Sequence, residues 1–205
     1  MLLGPGGCAK SQIWKTLAGT FNLDKPKKTC VCEVVNPKSV TGNELYGYMT
    51  LSKDWKDGVL SIIMRGMAKN FSDQGFYEYQ SYKWVVLDGD IDAVWIESMN
   101  TVMDDNKVLT LVSNERVPLS DPMRMVFEIN SMKNCTPATV SRAGILFINE
   151  SDIGWRPMVE PWVQWREDVV ERNHLPGLFD KYVEATADMT RKGYKEATTI
   201  RIINK

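Results

Sequence analysis

The first 150 positions alternate between short apolar runs and segments in which apolar residues recur with helical spacing. Apolar runs bounded by polar residues predict strands at Cys30–Val35, Lys83–Asp90, Arg124–Ile129 and Gly144–Ile148. Helical spacing predicts helices in the intervening segments, at Lys10–Leu17, Gly58–Phe71, Asp92–Met103 and Thr136–Arg142. Strands that alternate with helices predict an α/β fold, in which a mostly parallel sheet is flanked by helices on both faces.

Three segments do not follow this alternation. Residues 38–57 are polar and contain glycines, which predicts a surface loop with a short helical turn. Residues 72–82 predict a loop rich in aromatic side chains. Residues 108–119 predict a small hairpin with Asn114 near its turn.

From residue 151 the pattern becomes helical and rich in tryptophan. We therefore predict a boundary near residue 150, which separates an α/β subdomain at 1–150 from a helical subdomain at 151–205. His174 precedes Leu-Pro-Gly, and this predicts the C-terminus of a helix. Only Met1-Leu2-Leu3 precede the first glycine, and residues 198–205 form a β-like run, so we expect a piece of a longer polypeptide.

Composition and charge narrow the possible functions. With 205 residues, 43% hydrophobic and 25% charged, the chain can bury a core of ordinary globular size. A formal net charge of −1 gives no electrostatic footprint for nucleic acid or an anionic membrane, and no apolar run reaches the roughly 18 residues of a membrane span. Four cysteines without C-x-x-C spacing indicate a reducing compartment, and a single histidine argues against a histidine-based metal site or a Ser-His-Asp triad. We therefore expect no nucleic-acid partner and no membrane partner.

The candidate chemistry begins with the stretch GPGGCAKS near the N-terminus. It follows the phosphate-binding pattern G-x-x-x-x-G-K-[ST], except that Ala9 occupies the second glycine position. Backbone N–H groups before a helix N-terminus favour phosphate, while Lys10 would reach the β- and γ-phosphates and Ser11 would ligate Mg²⁺. The candidate nucleotide-binding residues are Gly4, Pro5, Gly6, Gly7, Cys8, Ala9, Lys10, Ser11 and Gln12. The stretch alone leaves three interpretations open: a nucleotide site, a decayed site and a coincidence of glycines.

Asp88 supports the nucleotide interpretation. The apolar residues Trp84–Leu87 deliver its carboxylate to the C-terminal edge of the predicted sheet, where parallel α/β folds bind ligands. An acidic residue at this place holds the Mg²⁺ shell in P-loop ATPases, so Ser11 and Asp88 are the predicted magnesium residues, partly through water. The alternative role, an acid that caps the following turn, fits Asp92 better.

Two further residues could take part in catalysis. Asn130 ends the strand predicted beside that of Asp88, where it could sense the γ-phosphate or simply begin a turn. Arg142 lies just before the last predicted strand, and it could be a surface cation or an arginine finger offered to a neighbouring nucleotide.

Longer motifs extend well beyond the glycine loop. They are Lys83-Trp-Val-Val-Leu-Asp-Gly-Asp-Ile-Asp92, Trp95-Ile-Glu-Ser-Met-Asn100, Ser113-Asn-Glu-Arg116 and Ala138-Thr-Val-Ser-Arg-Ala-Gly144. Together they resemble the second AAA+ module of dynein heavy chains. Thr136-Pro137 and Asp152-Ile-Gly-Trp155 resemble axonemal more than cytoplasmic chains. The resemblance covers most of residues 1–160, and the remainder is similar to the start of a helical lid.

The resemblance implies an AAA+ P-loop NTPase fold, in which 1–150 form the large nucleotide-binding subdomain and 151–205 a truncated lid. It implies a module that binds ATP or ADP with Mg²⁺ without rapid turnover, because Gly89 stands where hydrolytic AAA+ enzymes carry a water-activating glutamate. It also implies that Arg142 completes the catalytic site of the preceding module and that Asn130 acts as a sensor.

The implied partners are the neighbouring AAA+ modules of the same heavy chain and the linker of the motor. Microtubules would be reached indirectly, and dynein intermediate and light chains through the rest of the heavy chain. The implied location is the cytoplasm and cytoskeleton, in the axoneme of a cilium or flagellum.

One position in the loop qualifies this interpretation. A positive φ at Ala9 would strain the loop by about 1 kcal/mol or more and weaken nucleotide affinity. An active AAA+ chaperone-type ATPase, which remodels protein complexes, is the alternative function, and Gly89 argues against it. A nucleotide-free scaffold is the third possible function.

Overall fold

The computed structural model describes residues 1–24, 29–69 and 81–193. The predicted loop at 72–82 lies almost entirely outside these residues, and the β-like run at 198–205 lies wholly outside them. Within them the strands are β1 (Leu2–Leu3), β2 (Cys30–Val35), β3 (Gly47–Met49), β4 (Trp55–Asp57), β5 (Tyr82–Asp88), β6 (Val108–Thr110), β7 (Arg116–Pro118), β8 (Met123–Ile129) and β9 (Leu146–Phe147). The α-helices are α1 (Lys10–Asp24), α2 (Gly42–Tyr46), α3 (Val59–Ala68), α4 (Ala93–Ile96), α5 (Asn100–Met103), α6 (Pro137–Arg142), α7 (Glu150–Ile153), α8 (Arg156–Gln164) and α9 (Val169–Gly193).

The main sheet is parallel and has the strand order β2-β5-β8-β1-β9. β5 pairs with β2 on one edge and β8 on the other, and its residues 83–87 are all buried. A continuous apolar run is what a parallel strand covered on both faces requires. The predicted α/β fold with a parallel sheet is confirmed.

The hydrophobic core joins the sheet to α3 and to the helical segment at 92–103. Leu60, Met64 and Met67 recur on one face of α3 and are fully buried. The segment at 92–103 is not one helix, because a 3₁₀ turn at Glu97–Met99 separates α4 from α5. The Asp92 side chain accepts a hydrogen bond from the Val94 N–H at 2.9 Å, and it is therefore the predicted helix N-cap.

Two small antiparallel hairpins lie outside the main sheet, β3 with β4 and β6 with β7. The β6–β7 hairpin was predicted, and Asn114 at its turn has a φ of 65°. The β3–β4 hairpin corrects the prediction of a surface loop at 38–57. Its first residue, Gly47, has a φ of 107°, and a Cβ there would clash with the ring of Trp55. The hairpin therefore depends on a glycine at that position.

The chain divides into two compact units, residues 1–4 with 10–148 and residues 5–9 with those from 149 onward. In the second unit, the ring of Phe179 stacks on Trp155 at a centroid distance of 5.8 Å and meets Trp162 edge-on at 6.1 Å. The predicted helix end after His174 is wrong, because α9 continues past Pro176. Proline removes one backbone hydrogen bond, and the aromatic contacts of Phe179 stabilise the turn that follows. In the part of the chain that is described, no helix is long and apolar enough to cross a membrane.

Candidate nucleotide-binding site

In the chain, the glycine loop follows the first strand and precedes the first helix. The N–H of Gly4, directly after β1, donates to the Ile129 carbonyl oxygen of β8 at 3.2 Å. The predicted helix begins at Lys10, so Lys10 and Ser11 lie in its first turn. The N–H groups of a first helical turn have no intrahelical acceptors, which suits them to an anion.

The loop backbone enters the left-handed region twice, at Gly7 with a φ of 93° and at Ala9 with a φ of 66°. Between these residues, the Cys8 N–H donates to the Pro5 carbonyl oxygen at 3.4 Å. Glycine adopts such a φ freely, whereas a methyl group makes it unfavourable by about 1–2 kcal/mol. The condition under which Ala9 was expected to strain the loop is therefore met.

Lys10 is held in place by two oxygen acceptors. Its Nζ donates to the Gly4 carbonyl oxygen at 2.7 Å and to Oδ1 of Asn130 at 3.1 Å, and the side chain is 5% exposed. Asn130 directly follows β8, and its own N–H donates to Oδ1 of Asp90 at 2.7 Å. Lys10 and Asn130, predicted separately from a motif and a strand end, are brought into contact.

Glu128 is a site residue that the sequence interpretation missed. Its Oε1 accepts a hydrogen bond from Ser11 Oγ at 2.5 Å, its Oε2 accepts one from Trp14 Nε1 at 3.0 Å, and the residue is 8% exposed. In the strand register it lies opposite Asp88. The available signal was an acidic residue inside an apolar strand, two positions before Asn130.

The charge of Asp88 is disfavoured at this edge of the sheet. Partial desolvation, followed by the nearby negative charge of Glu128, raises the pKa of the Asp88 carboxyl above its usual value, and the cationic Lys10 and Lys15 act in the opposite direction. Two negatively charged carboxylates on paired strands attract a cation, which in turn reduces their mutual repulsion. Mg²⁺ prefers oxygen ligands and is usually held by one or two carboxylates together with phosphate, so Ser11, Asp88 and Glu128 form an oxygen-rich group that fits it.

Gly89 is closely covered by a neighbouring loop. A Cβ at this position would lie 2.9 Å from Oδ1 of Asn36 and 3.3 Å from Cδ of Pro37. The Asn36 side chain itself accepts a hydrogen bond from the Lys38 N–H at 2.9 Å. Any side chain at position 89 would therefore displace the amide that starts this turn.

Arg142 ends α6, whose N-cap is Thr136. Its guanidinium forms an ion pair with Asp104 and donates to the Ala138 carbonyl oxygen at 3.0 Å. The side chain is 32% exposed. The structure thus places Arg142 beside the end of α5, held by an acidic partner that the sequence interpretation did not anticipate.

Comparison with protein families gives these features a context. The family model of the AAA domain, dynein-related subfamily, matches residues 1–143. The chain belongs to this family. Membership in the dynein-related AAA family implies nucleotide binding, generally with Mg²⁺.

Curated relatives extend the similarity along the chain. Over 205 residues, it is 47% identical to the dynein beta chain, flagellar outer arm, of Chlamydomonas reinhardtii, with 100% of this chain covered. Over 200 residues, 97% of the chain, it is 50% identical to the ciliary dynein beta chain of Tripneustes gratilla and 48% identical to dynein axonemal heavy chain 17 of Homo sapiens. It spans 4% of the length of each relative. The predicted resemblance to axonemal dynein heavy chains is confirmed.

Proposed function

We propose that this dynein-related AAA domain binds ATP or ADP with Mg²⁺ and hydrolyses it slowly, as the second module of a dynein motor ring. The observation that carries the proposal lies in the first turn of α1. There Lys10 contacts Asn130, directly after β8, and Ser11 contacts Glu128 of β8, which is paired with Asp88. The loop backbone and Lys10 would hold the phosphates. Ser11 and Asp88 would hold Mg²⁺, which would neutralise phosphate charge.

Slow hydrolysis is supported by the engagement of the acidic side chains around Gly89. Asp90 accepts the N–H of Asn130, Asp92 caps α4, and Glu128 accepts Ser11 and Trp14. A general base must reach the attacking water with good geometry. Position 89 has no side chain, and hydrogen bonds to other groups fix the orientation of these carboxylates, so the module would retain its nucleotide rather than turn it over.

Asn130 and Arg142 would act at two different nucleotides. Asn130 already touches the phosphate-binding Lys10, which suits a residue that senses the γ-phosphate of this module. Arg142 would serve as an arginine finger for the preceding module, where such a residue can raise the rate about 10³- to 10⁵-fold. The largest catalytic effect of the domain would then fall on its neighbour.

The relatives' names carry the remaining part of the proposal. The named chains are flagellar outer-arm, ciliary and axonemal dyneins, so we place this domain in the cytoskeleton of a ciliary or flagellar axoneme. Its partners would be the adjacent AAA modules and the motor's linker. Microtubules, and the intermediate and light chains, would be contacted by other parts of the heavy chain.

Titration of the chain with Mg-ATP and Mg-ADP, followed by steady-state ATPase measurement, tests the nucleotide proposal. We expect saturable binding, little turnover, and loss of binding in Lys10→Met. Lys56→Met, which changes an exposed lysine of β4, is the matched control and should bind normally. Rapid turnover would favour the chaperone-type ATPase, and absence of Lys10-dependent binding would leave only a scaffold.

The arginine-finger proposal needs the complete motor chain. We expect Arg142→Ala to slow ATP turnover at the preceding module while nucleotide affinity at this module stays the same. Arg116→Ala, at an exposed arginine of β7, is the control and should leave turnover unchanged. Normal turnover with weakened binding at this module would refute the assignment.

A further inference from the structure

The acidic side chain of Glu128 is bound by two residues of the helix that follows the phosphate loop. Oε1 accepts from Ser11 and Oε2 from Trp14, and these donors lie three residues apart on one face of α1. Both Glu128 and Trp14 are buried. The carboxylate is therefore fixed in orientation, with one oxygen reserved for each donor.

The chemistry of the two donors differs in a way that matters for a cation. An indole N–H can only donate, whereas a hydroxyl can donate its single proton or accept through two lone pairs. A carboxylate can only accept, so Ser11 must spend its proton on Glu128. The lone pairs of its oxygen stay available, which is the state that a metal-ligating hydroxyl requires.

Building on the proposed binding of a Mg-nucleotide, we propose that Glu128 is a positioning residue for Mg²⁺. It keeps Ser11 as a hydrogen-bond donor, so that the hydroxyl oxygen is free for the cation. Its negative charge, opposite Asp88 in the register of β5 and β8, adds to the attraction. Hydrogen-bond partners of ligating groups commonly orient them and tune their affinity in this way.

Glu128→Gln tests this role because it reverses the hydrogen bond to Ser11. Trp14 can only donate, so the amide oxygen must face Trp14 and the NH₂ group must face Ser11, which then accepts. We expect the factor by which Mg²⁺ increases nucleotide affinity to fall about 10- to 100-fold. Binding of ADP in EDTA should not weaken. Calorimetric titration of the 205-residue chain with ADP, with and without Mg²⁺, measures both quantities, and circular dichroism melting checks the fold.

A double variant separates orientation from charge. In Trp14→Phe with Glu128→Gln, the amide is free to turn its oxygen towards Ser11, at the same net charge as in Glu128→Gln alone. We expect this variant to recover most of the Mg²⁺ effect, and Trp14→Phe alone to retain it. Glu97→Gln, at an exposed glutamate of the same unit, controls for loss of one negative charge.

Glu128→Asp gives an independent test that also serves if Glu128→Gln does not fold. It retains the charge but is one methylene shorter, so Ser11 loses its acceptor and the Mg²⁺ effect should fall. An undiminished Mg²⁺ effect in Glu128→Gln or in Glu128→Asp, or no recovery in the double variant, would overturn the inference. If the parent chain binds no nucleotide, the proposed function fails and the inference fails with it. Mg²⁺-dependent binding that Glu128→Gln and Glu128→Asp leave unchanged refutes the inference alone.

Discussion

Asp88 and Glu128 lie opposite each other on β5 and β8, whereas Asp57 and Glu115 share the guanidinium of Arg65. Arg65 donates to Asp57 twice at 2.9 Å and to Glu115 at 2.8 and 2.6 Å. These bonds hold the pKa of both carboxyls below their usual values. The pKa of Asp88 is raised instead, by burial and then by Glu128.

The difference shows which carboxylates are paired with a cationic side chain of the same chain. Arg65 on α3 forms ion pairs with Asp57 of β4 and with Glu115 of the β6–β7 hairpin, so these two carboxylates contribute to the stability of the chain. At the sheet edge, the charge of Asp88 is unfavourable when the protein is alone, and a cation would relieve it. One acidic pair thus serves the fold, and we propose that the other serves a ligand.

Asp88→Asn should have the largest effect of the variants that test this difference between the two acidic pairs. We expect the Mg²⁺-dependent nucleotide affinity to fall about 100-fold, because losing a charged partner of a bound ion costs about 2–3 kcal/mol. The ligand-free chain should become more stable at neutral pH, because a raised pKa contributes stability below the usual value of 3.8 that is lost as the pH rises. The stabilities of the parent chain and of the variant should therefore become equal at acidic pH.

Nucleotide titrations and thermal melts, at neutral and acidic pH, measure the two effects of Asp88→Asn. Asp121→Asn, at an exposed aspartate before β8, is the control and should change neither. A loss of ligand-free stability at neutral pH would mean that Asp88 supports the fold, as Asp57 does.

Arg65→Met, at the pair formed by Asp57 and Glu115, should change the stability of the ligand-free chain in the opposite direction. We expect it to lower the free energy of unfolding by about 1–2 kcal/mol at neutral pH, because paired, multiply hydrogen-bonded guanidinium contacts exceed ordinary surface ion pairs. The carboxyls' lowered pKa values make this stability present above their usual values of 3.8 and 4.5, and it is lost as the pH falls.

Urea unfolding across this pH range measures the effect of Arg65→Met. Arg116→Met on β7 provides the matched arginine control, with little expected change. Nucleotide affinity should stay the same, and a weaker affinity would contradict the separation of the two acidic pairs.

Ala9→Gly tests whether the backbone of the glycine loop is strained. The φ of 66° makes alanine unfavourable by about 1–2 kcal/mol, and the greater freedom of glycine in the unfolded chain offsets part of this cost. We therefore expect the glycine variant to gain about 0.5–1 kcal/mol of stability or the corresponding nucleotide affinity. Ala138→Gly, inside α6, should instead lose about 1 kcal/mol, because its backbone is helical. Destabilisation of similar size in both variants would show that the loop is not strained at Ala9.

Local sequence patterns predicted most of the main fold. The apolar run of β5 and the helical period of α3 are properties of contiguous residues, and so is the turn at Asn114. The β3–β4 hairpin was missed because its strands are short and largely exposed, and it depends on how Gly47 packs against Trp55. Likewise, nothing local to Pro176 reveals the contacts that let α9 continue.

The candidate site divides along the same line. Lys10, Ser11 and Asp88 were predicted because a motif and a strand end mark them within a few residues. The contact of Glu128 with Ser11 joins residues 117 positions apart in the chain, and it exists only because β1 pairs with β8. Asp104 as the partner of Arg142, 38 positions away, is hidden for the same reason.

Asp104→Asn should have the smallest effect. It tests whether Arg142 mainly stabilises this chain or is available to a neighbouring module. Arg142 and Asp104 are 32% and 34% exposed, and such ion pairs contribute about 0.2–1 kcal/mol, so we expect a loss of about 0.5 kcal/mol. Urea unfolding measures it, with Asp105→Asn at the exposed neighbouring position as the control. A loss as large as that of Arg65→Met would mean that Arg142 is held for this chain's own stability, which argues against an arginine offered to a neighbour. A small loss leaves the guanidinium free to exchange Asp104 for a phosphate at little cost.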